Sequence, residues 1–463
     1  MLKENFNAPA RATVFYAVGN AFSKIVGIAT TPIFTRILSE KEYGDFAFYI
    51  CIVAIIGGIV APLCSGGAVY RGLLEFSDRR GEYLFSVGSI LCVFSAAVFF
   101  VLFFLKRTLK FNDTVIILLA IQTFFDALTL LMLTSHRFTY SYKAVTAVTI
   151  TDAILSPIFA LFFIKVTHLG FWGRVLGMLL SSAIIALPLF VSVLKEKKSV
   201  SQEICLFTVK NSVPLLLNSS LGALGGQADR LLLSFLLGST AIAKYSVAHS
   251  IGAGLGFISA SILGALSPWI SRRLRLFEYE RVSEVVFIIF KILCLGACIL
   301  SALSPEAMRL LAPNNYYSAL YAIPPIALST AVAFLNSVST VVTILSKRSF
   351  VLSVSRLVSL FGGSSFGFLL IPTFGFFGAG AALLIGELCA AAVNLYFLGR
   401  QGISGILPVR QLFGAFVLTV SLSGVFSSLQ AFPAIRILLL IIPSLLLLNT
   451  LTAGKKYLFE ISN

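Results

Sequence analysis

Charged residues are scarce in this chain. Asp, Glu, Lys and Arg make up 12% of its 463 residues, whereas a soluble domain has about 25%. Hydrophobic residues make up 58%, and the mean hydropathy is +0.97. Water cannot solvate a surface of this composition, so the sequence excludes a soluble globular protein and predicts an integral membrane protein.

Long loops and enzyme motifs are also lacking. No connection between hydrophobic runs exceeds about twenty residues, and the sequence contains no HExxH, GxSxG or P-loop string. These motifs hold a metal, a nucleophile or a phosphate for chemistry. We therefore do not expect an enzyme, including a glycan polymerase or ligase, which normally needs a large outward loop.

Cysteine motifs and a cleavable leader are absent as well. Of seven Cys residues only Cys205 lies outside a predicted span, and no CxxC occurs. We interpret the cysteines as packing residues, and no metal or cofactor is expected.

The N-terminus lacks the basic-then-apolar pattern of a signal peptide, so its first apolar run is expected to stay as a helix.

Apolar runs are what the sequence has in abundance. A helix needs about 20 apolar residues to cross the hydrocarbon core, whereas a barrel strand needs about ten that alternate with polar ones. The runs predict an all-α polytopic membrane protein of about fourteen transmembrane helices and exclude a barrel. The predicted spans are 12–37, 44–70, 83–105, 114–135, 144–166, 171–194, 211–238, 241–269, 285–304, 319–346, 350–371, 375–399, 411–429 and 434–453.

The net charge of +16 comes from basic clusters between these runs. Most of the Lys and Arg residues lie at the termini and in the even-numbered loops, with clusters at 195–198 (KEKK) and 272–275 (RRLR). Basic residues accumulate in cytoplasmic loops. Both termini are therefore predicted to be cytoplasmic, and the charge does not indicate nucleic-acid binding.

Short motifs recur in the two halves of the chain. GFWG at 170–173 matches GFFG at 375–378. Each is preceded by a similar loop motif, SHRF at 135–138 in the first half and SKRSF at 346–350 in the second. The copies lie six spans apart and therefore have the same orientation, which indicates a parallel repeat with a substrate site between two lobes. The predicted division is an N-terminal lobe (1–200), a C-terminal lobe (201–402) and an appended helix pair (403–463).

The stretch 12–50 carries Asn20, Pro32, TRIL at 35–38 and YGDF at 43–46. It resembles the opening of the bacterial polysaccharide repeat-unit flippases of the O-antigen and capsule type. These belong to the multidrug/oligosaccharidyl-lipid/polysaccharide exporter (MOP) superfamily. The segment 229–249, DRLLLSFLLGSTAIAKYSVAH, is similar to the seventh and eighth helices of the same group.

The resemblance implies two six-helix lobes around a central cavity that opens alternately to each side of the bacterial inner membrane. It implies a substrate, an undecaprenyl-diphosphate-linked oligosaccharide for surface polysaccharide such as lipopolysaccharide, and partners such as a glycan polymerase and a chain-length regulator. Two alternatives stay open. One is an ion-coupled multidrug exporter of the same superfamily, and the other is a peptidoglycan-precursor flippase.

Cationic and amide side chains at membrane depth are candidates for substrate binding. A charge at the centre of a membrane helix costs about 2.5–3.5 kcal/mol, so each one needs a partner or a function. Lys24 would meet a diphosphate or sugar carboxylate, or else pair with Asp126 or Asp152. Arg230 would bind the diphosphate, with Asp229 and Asn218 near it, or else form a local ion pair or extend towards the membrane surface.

Acidic side chains at membrane depth are candidates for ion coupling. Asp126, Asp152 and Glu387 have no acid at the repeat-related positions, so the duplication does not explain them. They would couple transport to protons or sodium, or else form hydrogen bonds between helices. His249 is either a buried imidazole or a proton relay.

Overall fold

A computed structural model of the chain describes residues 8–109, 112–194, 199–346, 349–401, 404–430 and 432–462. These ranges are helical with short connections and contain no β-strand. The basic cluster at 195–198 lies outside the described residues, as do Lys347 and Arg348 of the SKRSF motif.

Eighteen α-helices occur in the described ranges, together with short 3₁₀ helices at Ser77–Arg79, Asn314–Ala322 and Ser404–Ile406. Their bounds are α1 Ala8–Ile37, α2 Glu40–Cys64, α3 Gly67–Glu75, α4 Arg80–Leu109, α5 Asp113–Phe138, α6 Tyr142–Thr167, α7 Phe171–Leu194, α8 Gln202–Gly225, α9 Ala228–Leu237, α10 Ser239–Gly252, α11 Gly254–Arg275, α12 Tyr279–Ala302, α13 Ser304–Leu311, α14 Ile323–Leu345, α15 Ser349–Arg400, α16 Val409–Ser428, α17 Pro433–Leu439 and α18 Ile441–Ser462.

Thirteen segments in the described ranges are long and apolar enough to cross a membrane. One of them, Phe350–Arg400, has 51 residues, whereas about 20 suffice for one crossing. It bends at Gly375, whose φ of 56° and ψ of −125° are not helical. The two arms of α15 therefore account for two crossings, and the prediction of a fourteen-helix membrane protein is confirmed.

Three predicted spans are broken at glycine. The span predicted at 241–269 is divided between α10, which ends at Gly252, and α11, which begins at Gly254. The span predicted at 44–70 is divided between α2 and α3, and Gly66 between them has a φ of +79°. The span predicted at 211–238 is divided between α8 and α9 at Gly225 and Gly226. Hydrophobicity alone cannot detect these breaks, because glycine interrupts the helix without adding polarity.

The chain forms two compact units, Met1–Gln227 and Ala228–Asn463. The structure groups α8 with the first unit, and the lobe boundaries at 200 and 402 stay predictions. In the first unit α6 packs on α1 and α7, while α2 packs on α5 and α8. Thr146 of α6 donates a hydrogen bond to the Phe15 carbonyl of α1 (3.1 Å).

Close packing holds the first unit together. Lipid tails are as apolar as leucine side chains, so membrane helices associate through van der Waals contact between small residues rather than through transfer out of water. A Cβ on Gly58 of α2 would lie 2.3 Å from the Cβ of Ala223 on α8, and one on Gly177 would lie 2.3 Å from the backbone nitrogen of Ala160.

In the second unit α14 is the central helix and packs on α11, α12 and α15. Its core includes Phe290 of α12 and Phe334 of α14, both almost fully buried. Helices α16 and α18 pack on α12, and they belong to this unit.

The two units contain the same tight helical hairpin. Gly170, before α7, and Gly375, within α15, are 205 residues apart and have φ angles of +49° and +56°, a conformation that only glycine adopts without strain. Three residues later, Gly173 and Gly378 each lie against the backbone of the preceding helix. The geometry supports the internal repeat that the GFWG and GFFG motifs predict.

We predict that Gly378→Ala destabilises the protein. The added Cβ would lie 2.1 Å from the Leu370 carbonyl oxygen, and overpacking of this kind costs about 1–3 kcal/mol. The melting temperature of the detergent-solubilised protein should fall. In the control, Gly264→Ala, the added Cβ has no atom within 4 Å and alanine is a better helix former, so the melting temperature should stay equal or rise. Equal melting temperatures for the two variants would contradict this packing.

Candidate functional site

Lys24 lies near the middle of α1, and its side chain is exposed. Lys24 shares one helix face with Asn20, Gly27 and Thr31, because these residues follow one another at spacings of three and four. Thr31 is partly exposed, and the other three residues are exposed. A different face of α1, which includes Ala12, packs inside the unit. The described residues place no carboxylate within 4.0 Å of the Lys24 ammonium group, so they do not show a pair with Asp126 or Asp152.

Asp126 of α5 and Asp152 of α6 are joined through α7. Ser182 donates a hydrogen bond to the Oδ1 of Asp126 (2.7 Å), and Ser181 donates one to the Oδ1 of Asp152 (2.7 Å). The Nε2 of Gln122 donates to both Asp126 and Ser182 at 2.8 Å. Both acids therefore bridge helices within the first unit, and their role in ion coupling stays a prediction.

Asn218 lies on α8, also in the first unit. Its side chain is half-buried, and its Oδ1 is a buried atom with no hydrogen-bond partner among the described residues. An amide oxygen in this position can accept one further hydrogen bond, which is compatible with the predicted binding role.

Asp229, Arg230 and His249 meet in the second unit, together with Tyr245. Asp229 is 4% exposed, and its Oδ2 accepts a hydrogen bond from the Tyr245 hydroxyl (2.6 Å). The Nε2 of His249 is 3.9 Å from the same oxygen. The Nη2 of Arg230 is 2.8 Å from the Nδ1 and 3.0 Å from the Nε2 of His249, and an arginine can only donate. The imidazole of His249 therefore lies between a carboxylate and a guanidinium.

Glu387 lies on the second arm of α15 and is bonded to α14. Asn336 donates from its Nδ2 to the Oε2 of Glu387 (2.7 Å) and to its carbonyl (3.0 Å). Asn394 in turn donates to the Oδ1 of Asn336 (3.0 Å). Arg356, on the first arm of α15, is close enough to interact electrostatically with Glu387. This acid also bridges helices, and its role in ion coupling stays a prediction.

Sequence reasoning overlooked one half-buried and one buried arginine, Arg174 and Arg436. The Arg174 guanidinium lies over the Phe34 ring, 3.6 Å from its centroid, and 4.8 Å from that of Phe46. Arg436 of α17 is 1% exposed and forms an ion pair with Glu306 of α13. Both arginines stand inside apolar runs of the sequence, and that position is the signal that would have identified them.

An apolar pocket of about 120 Å³ opens in the second unit between α12, α14, α15 and α16. Its wall is almost entirely hydrocarbon and includes Phe290, Leu395 and Phe416. Phe413, at the same pocket, is exposed. The wall therefore offers little to a polar group.

Solved structures share this fold. The lipid II flippase MurJ in an inward closed conformation is 13% identical, with a TM-score of 0.74 over 96% of this chain and 100% of that one. A multidrug resistance MATE family transporter of the MOP superfamily, inward-facing, is 14% identical (TM-score 0.64; 84% and 95%). A mutant of the Vibrio cholerae MATE transporter VcmN is 15% identical (TM-score 0.57; 86% and 98%). At such identities the likeness shows the fold alone, which this chain shares with MurJ and the MATE transporters.

The sequence identifies the family. The family described as "Polysaccharide biosynthesis protein" matches residues 10–274, more than half of the chain, and the chain belongs to it. No curated protein matches the chain in sequence. The resemblance seen at 12–50 and 229–249 is thereby confirmed. The solved structures that share the fold are those of a flippase and of transporters.

We predict that the Arg436–Glu306 pair fastens α17 to α13. Glu306→Gln leaves a buried guanidinium without its counter-charge, which lowers stability by as much as about 3 kcal/mol. The melting temperature in detergent should fall, and the double variant Glu306→Gln with Arg436→Met should recover part of the loss because no buried charge remains. A double variant less stable than Glu306→Gln alone would contradict the pairing.

Proposed function

We propose that the protein is a flippase. It moves undecaprenyl-diphosphate-linked oligosaccharide repeat units from the cytoplasmic to the outer leaflet of the bacterial inner membrane by alternating access, for assembly of a surface polysaccharide such as O-antigen or capsule. Both termini are cytoplasmic in this proposal. A glycan polymerase and a chain-length regulator act on the product.

The observation that carries this proposal is the polar face of α1 with Lys24 at its centre. An ammonium group facing lipid at this depth would cost about 2.5–3.5 kcal/mol, whereas one facing a hydrated substrate path is solvated. Lys24 meets no carboxylate in the described part of the chain, so it is available to a diphosphate or sugar carboxylate. Membership of the polysaccharide biosynthesis family supports a saccharide-bearing substrate.

Substrate contacts are also proposed in the second unit and on α8. Arg230 binds the diphosphate through its guanidinium, Asp229 holds the neighbouring network in place, and Asn218 accepts a hydrogen bond from a sugar hydroxyl. The polyprenyl tail has an apolar site of suitable chemistry in the pocket between α12, α14, α15 and α16.

Ion coupling is proposed at His249 and at the three buried acids, Asp126, Asp152 and Glu387. His249 stands between a carboxylate and a guanidinium, so gain or loss of one proton changes which neighbour it favours. A proton or sodium gradient would act on transport through such groups.

A deletion strain tests the proposed function. Removal of the gene should abolish surface polymer and cause the polyprenyl-linked repeat to accumulate in the inner membrane. The wild-type gene should restore export, Lys24→Ala should not, and Lys24→Arg should restore part because it keeps the charge. Surface polymer and the lipid-linked repeat are measured at equal protein levels.

Other outcomes of this experiment favour the alternatives. Intact polymer with increased sensitivity to cationic drugs would favour the multidrug exporter, and loss of peptidoglycan synthesis would favour the precursor flippase. Normal export by Lys24→Ala at wild-type protein levels would reject the role of Lys24.

We predict that Glu387→Gln weakens gradient-driven transport without loss of protein. The glutamine carbonyl still accepts the Asn336 hydrogen bond, so the fold is kept while the titratable group is lost. Transport is measured in vesicles with an imposed proton or sodium gradient. Glu284→Gln, at an exposed acid of α12, is the control. An unchanged dependence on the gradient in Glu387→Gln would count against coupling there.

A further inference from the structure

Basic and aromatic side chains collect at one end of the first unit, where α1 begins and α5 ends. The SHRF motif that repeats in the sequence lies here. We define the basic-aromatic cluster as Tyr16, Tyr70, Arg80, His136 and Arg137, from α1, α3, α4 and α5. The basic loops predict that this end of the unit is cytoplasmic.

Positive charge in the basic-aromatic cluster is not balanced by acid. Arg80 donates to the Ser135 hydroxyl (2.6 Å) and to the Ser135 carbonyl (3.2 Å), and it acts electrostatically on His136. Among the described residues, no carboxylate lies within 4.0 Å of Arg80, His136 or Arg137. The cluster therefore presents two permanent positive charges at the membrane boundary.

The contact of a basic side chain with a helix C-terminus accounts for the position of Arg80 but not for that of Arg137. A cation at a helix C-terminus is stabilised by the carbonyl groups there, and Arg80 makes such a contact at the end of α5. Arg137 makes no hydrogen bond to a carbonyl group among the described residues. Its guanidinium carbon instead lies 5.6 Å from the centroid of the Tyr16 ring.

Two hydrogen-bonding groups of this cluster have no partner in the part of the chain that the structure describes. The Nε of Arg137 and the hydroxyl of Tyr16 are buried atoms that form no hydrogen bond with the described residues. Buried polar atoms are nearly always paired in proteins. An arginine can only donate, and an anionic oxygen is the acceptor that gives the strongest hydrogen bond to it.

The tyrosines of the cluster are of the kind found at the level of lipid headgroups. Tyr70 is exposed and stacks on Phe138, with ring centroids 6.2 Å apart. Exposed tyrosines with an apolar ring and a polar tip concentrate where the bilayer meets water. A ligand at this depth has its charged group in the cluster and its tail in the lipid.

We propose that the basic-aromatic cluster is a loading site for the diphosphate of the lipid-linked substrate on the cytoplasmic side. Arg137 provides charge and a planar donor set, Tyr16 provides a hydroxyl, and Arg80 adds charge from the end of α5. This inference rests on the proposed function, and the site is separate from Lys24 in the middle of α1.

Binding of farnesyl diphosphate, a short soluble prenyl diphosphate, tests the site. The purified full-length protein is placed in nanodiscs of phosphatidylcholine. Arg137→Gln should weaken binding about tenfold, since charge-assisted hydrogen bonds to a phosphate are lost, and Arg137→Lys should weaken it less. Arg272→Gln removes one exposed charge from α11 and should bind as the wild type does.

A second variant keeps the test valid if Arg137→Gln fails to fold. Tyr16→Phe retains the ring and removes only the hydroxyl, and it should still weaken binding. An unchanged affinity in a folded Arg137→Gln protein would overturn the proposal. In a second set of nanodiscs that also contain phosphatidylglycerol, a difference between wild type and Arg137→Gln in binding that lipid, without a difference in binding farnesyl diphosphate, would also overturn it.

The failure of this inference can be distinguished from the failure of the proposed function. Weakened diphosphate binding by Arg137→Gln, combined with intact polymer in the deletion strain, would keep the diphosphate site and reject the flippase. Unchanged binding, combined with loss of polymer in the deletion strain, would reject the site and keep the flippase.

Discussion

Polar groups at membrane depth have no water to bind, and this constraint determines the internal design of both units. An unsatisfied polar group in hydrocarbon costs several kcal/mol. Three acids at membrane depth therefore form hydrogen bonds to neighbouring helices. Asp126 and Asp152 are held by the serine pair of α7, and Glu387 is held by Asn336 of α14. Lys24 stands apart from this pattern, because the described residues give it no carboxylate partner.

The same constraint applies to the contacts between helix backbones. The hairpins at Gly170 and Gly375 turn through a left-handed glycine and bring two helices into backbone contact at Gly173 and Gly378. Such contact replaces the hydrophobic driving force that membrane helices lack. Because the hairpin occurs once in each unit, a closely packed pair of helices is common to both.

The number of crossings could be predicted because each one needs a long apolar run, and such runs are visible in a single sequence. The breaks at Gly66 and Gly226 could not, since glycine is neutral in hydrophobicity. The partners of the acids, such as Ser181, Ser182 and Asn336, were also beyond prediction, because spacing along the chain does not say which helices face each other. Arg436 was overlooked although its charge stands inside the last apolar run, and Arg137 was noted only as part of a repeated motif.

The most direct test of the account is translocation by the purified protein in lipid vesicles. A polyprenyl-diphosphate-linked oligosaccharide is placed in the vesicle membrane, and the fraction of glycan accessible to an enzyme on the opposite side is followed over time. The account predicts transfer that is faster than in protein-free vesicles and is lost in Lys24→Ala. Transfer no faster than in protein-free vesicles, by correctly folded protein and with a gradient imposed, would contradict it.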